Sequence, residues 1–162
     1  MQILFAWDVR GEKDAATADQ IVTDSAAGET AQAGVRRRAR EMADGAWEMR
    51  EMVDQWVVRL APKWPTKRQP GVDRSLLRLA IWELTSSDTP PKVVLDEAIE
   101  MAKEYSTLQS PAFVNGVLDA ILKEHQALKA EVVAVEAAPI DTPVPVDTKT
   151  NPDEPELPVY LL

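Results

Sequence analysis

The sequence predicts an all-α protein, a compact helical bundle followed by a disordered, acidic, Pro-rich C-terminal tail. Three observations predict it. Across most of the first 130 residues, apolar side chains recur three and four positions apart, the spacing that lines one face of a helix. No alternating run of β-branched residues of useful length marks a strand. Beyond residue 130, large apolar groups thin out while prolines and carboxylates accumulate, a composition that cannot bury a core.

A first short helix is predicted from Met1 to Val9, around the apolar run Ile3–Trp7. Residues 11–34 are mostly Ala, Thr, Asp and Gly, with Ala18, Ile21 and Val22 offering a face for one weak helix near 17–25. Val35, Ala39, Met42, Ala46, Met49, Val53, Trp56 and Leu60 then form a single stripe, which predicts one long helix ended by Pro62 and Pro65. Another helix is expected after Pro70-Gly71, running to Leu84. Its apolar positions cover more than one face, which places it at the centre of the bundle. The next helix starts at Asp88-Thr89-Pro90, where Asp88 or Thr89 can cap and proline suits the first turn, and it continues to Tyr105. The last has Ser110 as cap and Pro111 at its first position, and it reaches about Ala130.

Charge divides the chain as sharply as hydropathy does. Residues 1–130 hold 17 basic and 20 acidic side chains, whereas residues 131–162 hold seven acidic groups against Lys149 alone. The tail also carries six of the twelve prolines. Most of the net charge of −9 therefore belongs to the segment 131–162 rather than to the bundle 1–130, and an acidic chain average does not exclude an anionic ligand. The longest apolar run is five residues, far below the roughly 20 that span a bilayer. The N-terminus lacks the basic start of a signal peptide. There is no cysteine, which excludes disulfides and thiolate sites and fits a cytoplasmic location.

Catalytic patterns are missing. His125 is the one histidine, reads as a solvated helix residue and cannot build a transition-metal site alone. Glu97, Glu100 and Glu104 read as a charged solvent face beside Lys103. No Gly-rich phosphate loop, nucleophile elbow or dinucleotide fingerprint occurs, so neither a cofactor nor an enzymatic activity is expected.

Three features stand out. Arg36, Arg37 and Arg38, with Arg40, open the long helix, where cations oppose the helix dipole. They read either as phosphate contacts for a nucleic acid or as a solvated face balanced by Glu41, Asp44 and Glu48. Asn115-Gly116 interrupts the last helix. A helix-interior glycine costs about 1 kcal/mol relative to alanine. Close approach of another helix or of a ligand backbone would explain it; under the helix-packing reading, Gly116→Leu overpacks. Asn115 beside it offers a donor and an acceptor to a base edge or a carbonyl. Finally, five tryptophans (Trp7, Trp47, Trp56, Trp64, Trp82) read mainly as core side chains rather than as base-stacking platforms.

The segments Gln-Ile-Leu-Phe-Ala-Trp-Asp (2–8), Val-Asp-Arg-Ser-Leu-Leu-Arg-Leu-Ala-Ile-Trp-Glu-Leu (72–84), Pro-Lys-Val-Val-Leu-Asp-Glu-Ala-Ile-Glu-Met-Ala-Lys-Glu-Tyr (91–105) and Ser-Pro-Ala-Phe-Val-Asn-Gly-Val-Leu-Asp (110–119) occur in that order. In this arrangement the chain resembles the NusB family of bacterial transcription antitermination factors over about residues 1–125. The resemblance implies two small helical subbundles. It also implies binding to boxA RNA of ribosomal RNA leader transcripts together with NusE, a small-subunit ribosomal protein, within the RNA polymerase antitermination complex. By the same resemblance, Asp73 lies where family members contact NusE, and Phe5, Asn115 and Asp119 lie on or near the RNA surface. Asp73, at the start of its helix, is expected to be exposed.

Family members usually carry an Arg-rich stretch ahead of the segment matching residues 2–8, whereas here no basic residue precedes Arg10. Weak RNA binding without NusE is therefore expected, and so is a start codon further upstream. Two other readings remain open: the helical domain of a ribosomal RNA methyltransferase-like protein, and a protein-only adaptor.

Overall fold

A computed structural model describes residues 1–24 and 33–136. Among them are seven α-helices: α1 (Gln2–Arg10), α2 (Ala15–Asp24), α3 (Ala33–Glu48), α4 (Arg50–Leu60), α5 (Gly71–Ser86), α6 (Pro91–Tyr105) and α7 (Ser110–Glu136), with a 3-10 turn at Thr66–Arg68. No described residue is in a strand. The acidic segment expected to be disordered lies, from residue 137 on, outside the described residues. Its first six residues, 131–136, instead extend α7 past the expected end at Ala130.

Local chemistry sets most helix ends. The Asp14 carboxylate accepts from the backbone N–H groups of Ala16 and Thr17 at 3.1 and 2.9 Å, capping α2. Gly11 closes α1 in the left-handed region at φ 77°, where a side chain would be strained. The proline of the first turn of α6 is Pro91 rather than Pro90, and neither Asp88 nor Thr89 caps the helix, because Pro90 takes the cap position. The Thr89 hydroxyl donates to Glu83 at 2.9 Å instead. Ser110 is likewise no cap; its hydroxyl is buried and donates elsewhere.

The long helix expected over 35–60 is two helices, broken at Met49, where ψ is −5°. The break divides two packing tasks. Ala43, Ala46 and Trp47 of α3 join Ile3, Leu4, Trp7 and Ala18 in one apolar cluster, in which Trp7 and Trp47 meet edge to face at 5.6 Å. Val53 and Val57 of α4 join the other cluster with α5, α6 and α7. Val35 and Ala39, expected on the buried stripe, are exposed at the free end of α3.

Helix α5 is central, as its many apolar faces imply. It packs against α1, α3, α4, α6 and α7. Leu76, Leu77, Ala80, Ile81 and Leu84 serve the second cluster, while Leu79 and Trp82 lean on the first. The two subbundles thus share one helix. Gly45 makes the α3–α5 contact feasible, since a Cβ there would stand 2.1 Å from the Trp82 indole nitrogen.

Charged groups also cross between the subbundles. Arg78 of α5 donates to Asp8 of α1 at 2.6 Å and grips both oxygens of Asp54 of α4 at 2.9 and 2.7 Å. Arg74 donates to Asp8 at 3.1 Å and to the carbonyls of Thr66 and Gln69 at 3.1 and 2.7 Å. The Arg78 side chain is only 6% exposed and that of Asp8 11%, so these are largely buried charges held by their pairing. Burial pushes the Asp8 carboxyl up, but hydrogen bonds and charge from Arg74 and Arg78 prevail and hold it below the usual carboxylate range.

A depressed carboxyl adds stability above its unfolded pKa and loses it as pH falls through the folded one. The parent's thermal midpoint is therefore expected to hold through neutral pH and to fall below about pH 4, the ordinary aspartate range. Asp8→Asn is expected to lose roughly 3–5 kcal/mol at neutral pH, with a shallower further fall in acid. Thermal melts of both chains from pH 7 to pH 2.5 check this, and parallel curves would contradict it.

Candidate nucleic-acid interface

The side chains singled out in the sequence fall into three places. Phe5 is 39% exposed on α1, and its ring covers Gly71 at the start of α5, where a Cβ would lie 3.0 Å from it. Asn115 and Asp119 stand one turn apart on α7. Asn115 is exposed, and Asp119 is partly exposed and paired to Lys123 at 2.7 Å. Arg36, Arg37 and Arg38 are exposed at the start of α3. Arg37 and Arg38 both face Glu41, at 3.6 and 4.0 Å, and the Arg38 guanidinium lies over Trp82, 5.4 Å from the ring centre. Arg40 pairs with Asp19 and lies 3.8 Å from Asp44.

Trp82 lies eleven residues along α5 from Gly71, about 16 Å. The arginine run and Phe5 therefore sit at different ends of the central helix.

Asp73 is not on the surface. It is 2% exposed, and its carboxylate accepts from the hydroxyls of Ser106 at 2.5 Å and Ser110 at 2.7 Å. Ser110 in turn accepts from the backbone N–H of Thr107 at 3.2 Å. The expectation of an exposed Asp73 fails because the turn between α6 and α7 folds over it. Its role is to hold that turn against the first turn of α5.

Gly116 also departs from expectation. No atom lies within 4 Å of a Cβ built there, so no neighbouring helix requires the glycine and the close helix contact behind the expected overpacking is absent. Both it and Asn115 are exposed. His125 is half-buried rather than solvated, and its Nε2 has no hydrogen-bond partner. Among the described residues no group of three His, Asp or Glu side chains could hold a metal ion.

A cleft of about 440 Å³ opens between the loop before α5 and the start of α7, at the end of α5 away from the arginine run. The loop before α5 forms one wall through Trp64, Arg68 and Pro70, the start of α7 forms the other through Gln109 and Phe113, and Asp73 and Ser110 close the floor. Neither Phe5 nor Asn115 lines it: Phe5 covers Gly71, the residue after Pro70, and Asn115 lies two residues past Phe113. Trp64, read as core, is 48% exposed here, and Leu108, between the lining residues Thr107 and Gln109, is 94% exposed. The sequence did carry a signal for this wall: a tryptophan between two prolines, with Lys63, Lys67 and Arg68 around it.

Thermal melts separate the two corrected positions. Asp73→Lys is expected to destabilise, because each charge-assisted bond lost from Ser106 and Ser110 is worth about 1.5–3 kcal/mol. Gly116→Ala is expected to gain up to about 1 kcal/mol from helix propensity. An Asp73→Lys chain as stable as the parent would contradict the buried assignment.

Residues 1–123 match the NusB family. The chain is 38% identical over 130 residues to the transcription antitermination protein NusB of Chloroflexus aggregans, covering 78% of this chain and 84% of that one. With the NusB of Streptomyces coelicolor it shares 37% identity over 131 residues, covering 80% and 92%. Its fold is similar to that of T. maritima NusB, with a TM-score of 0.68 at 39% identity, over 80% of this chain and 90% of that one. It is also similar, at a TM-score of 0.63 and 28% identity, to a chain in a crystal structure of antitermination factors NusB and NusE in complex with dsRNA. That likeness covers 75% of this chain and 89% of the other. The helices, the shared central α5 and the sequence from α1 to α7 agree: this chain belongs to the NusB family.

Proposed function

We propose that this protein is a transcription antitermination factor that binds boxA-type RNA of ribosomal RNA leader transcripts together with NusE, within the RNA polymerase antitermination complex. The observation that carries this reading is the family match over residues 1–123, joined to the likeness to a chain solved with NusE and dsRNA. It acts in the cytoplasm by binding rather than by catalysis: the Asp73 carboxylate in the cleft is occupied by two serine hydroxyls. No described helix is long and apolar enough to cross a membrane.

In this reading the RNA runs along the cleft, with Phe5 on one flank and Asn115 and Asp119 on the other. Asp73 serves NusE indirectly, by holding the turn that presents Thr107, Leu108 and Gln109. Arg36, Arg37 and Arg38 make a separate phosphate contact at the far end of α5. Because every nucleotide presents the same phosphate, that contact adds affinity without choosing sequence, and Glu41, shared by Arg37 and Arg38, tempers it.

Fluorescence anisotropy with labelled boxA RNA, with and without NusE, tests the proposal. Weak binding alone and at least about tenfold tighter binding with NusE are expected. A scrambled RNA should lose most of the gain, and Arg36–Arg38→Ala should weaken both RNAs alike. Equal affinity for boxA and scrambled RNA in the presence of NusE would overturn it.

A further inference from the structure

We propose that the loop before α5 is a single-strand RNA platform, in which the Trp64 indole stacks on a base and Lys63, Lys67 and Arg68 neutralise the neighbouring phosphates. This rests on the RNA-binding reading above and adds a contact outside the residues that the sequence analysis singled out for RNA.

The first observation is the tryptophan itself. An indole that is 48% exposed forgoes burial that a side chain of this size would ordinarily take. Trp64 is nevertheless held in place. Its backbone N–H donates to the Ala61 carbonyl at 2.8 Å, and its carbonyl accepts from the Gln69 side chain at 2.8 Å. Phe113 meets its ring at 5.8 Å with a 40° tilt, backing the indole, about half of which stays open to solvent. A fixed, half-open aromatic ring suits base stacking, which tolerates any base because every base has a π-face.

Charge points the same way. Lys63, Lys67 and Arg68 are all exposed, and among the described residues no carboxylate lies within 4.0 Å of any of them. That separates them from the run at the start of α3, where Arg37, Arg38 and Arg40 all face carboxylates. In a chain of net charge −9, three unpaired cations within six residues around an exposed indole form a positive island. An RNA strand supplies both partners such an island lacks, a π-face and phosphates at short spacing. A protein partner would need carboxylates to match the cations and a pocket for the indole.

The test uses the full chain and two RNAs, a boxA-type oligonucleotide and an oligouridine of equal length, titrated from 50 to 300 mM salt. Replacing Lys63, Lys67 and Arg68 by glutamine is expected to flatten the log–log salt slope by about 2, at roughly 0.7 per phosphate contact on a single strand. Trp64→Ala is expected to weaken both RNAs roughly 5- to 150-fold, while Trp64→Phe retains most of the affinity. NusE affinity without RNA should be unchanged in every variant, and helicity and thermal midpoint confirm folding. An unaltered salt slope in the triple variant, or a loss confined to NusE binding, overturns the platform. A parent that binds both RNAs equally overturns the boxA reading but leaves the platform standing, and a parent that binds neither overturns both.

Discussion

Asp8 holds this structure together out of proportion to its size. One carboxylate, nearly buried, receives two arginines from α5, and one of those arginines also grips Asp54 of α4. Charges moved out of water are tolerated only where their hydrogen-bonding capacity is filled, so the geometry of three elements is set by one another. Apolar contacts are individually weak and non-directional, so the charged network adds a constraint that burial alone does not supply. The guanidinium forks supply direction. They set where α1 crosses α5, and hence where Phe5 rests over Gly71.

The same network reaches the surface. Arg74 spends its remaining donors on the carbonyls of Thr66 and Gln69, which secures the loop between α4 and α5. Gln69, itself buried, returns a hydrogen bond to the Trp64 carbonyl. From the opposite side Asp73 fastens the α6–α7 turn through Ser106 and Ser110. The cleft therefore has both walls anchored to the first turns of one helix. Such preorganisation lowers the ordering cost of binding a flexible strand.

The helical class, the central place of α5 and the extents of α5 and α6 were legible because burial on a helix leaves a periodic trace. The break at Met49 was not, since the apolar stripe runs through it without interruption; only tertiary packing divides α3 between one cluster and α4 between the other. Caps were misread at Thr89 and Ser110 because a hydroxyl near a helix start has several acceptors within reach, and Glu83 and Asp73 are supplied from elsewhere in the chain. Asp73 looked exposed for a related reason: a carboxylate in a first turn ordinarily faces water, and the turn that covers it lies over thirty residues away. Arg74 and Arg78 did leave a trace, as charged residues one turn apart in a helix apolar on most faces. Phe5 and Asn115 came from family resemblance or local chemistry, whereas the Pro-flanked, basic stretch around Trp64 left a trace in the sequence, and only the exposure of its indole had to await the placing of its neighbours.

Native-state hydrogen exchange on the parent and on Arg78→Met tests most directly whether the buried network joins the two subbundles into one unit. In the parent, amides of α1 and of α5–α7 are expected to share a common opening free energy, as members of one cooperative unit do. In Arg78→Met, amides of α1 and of the 64–70 loop should exchange at least about tenfold faster relative to those of α6 and α7, a separation of roughly 1.4 kcal/mol. A uniform acceleration across all helices, or protection of α1 equal to the parent's, would contradict the account.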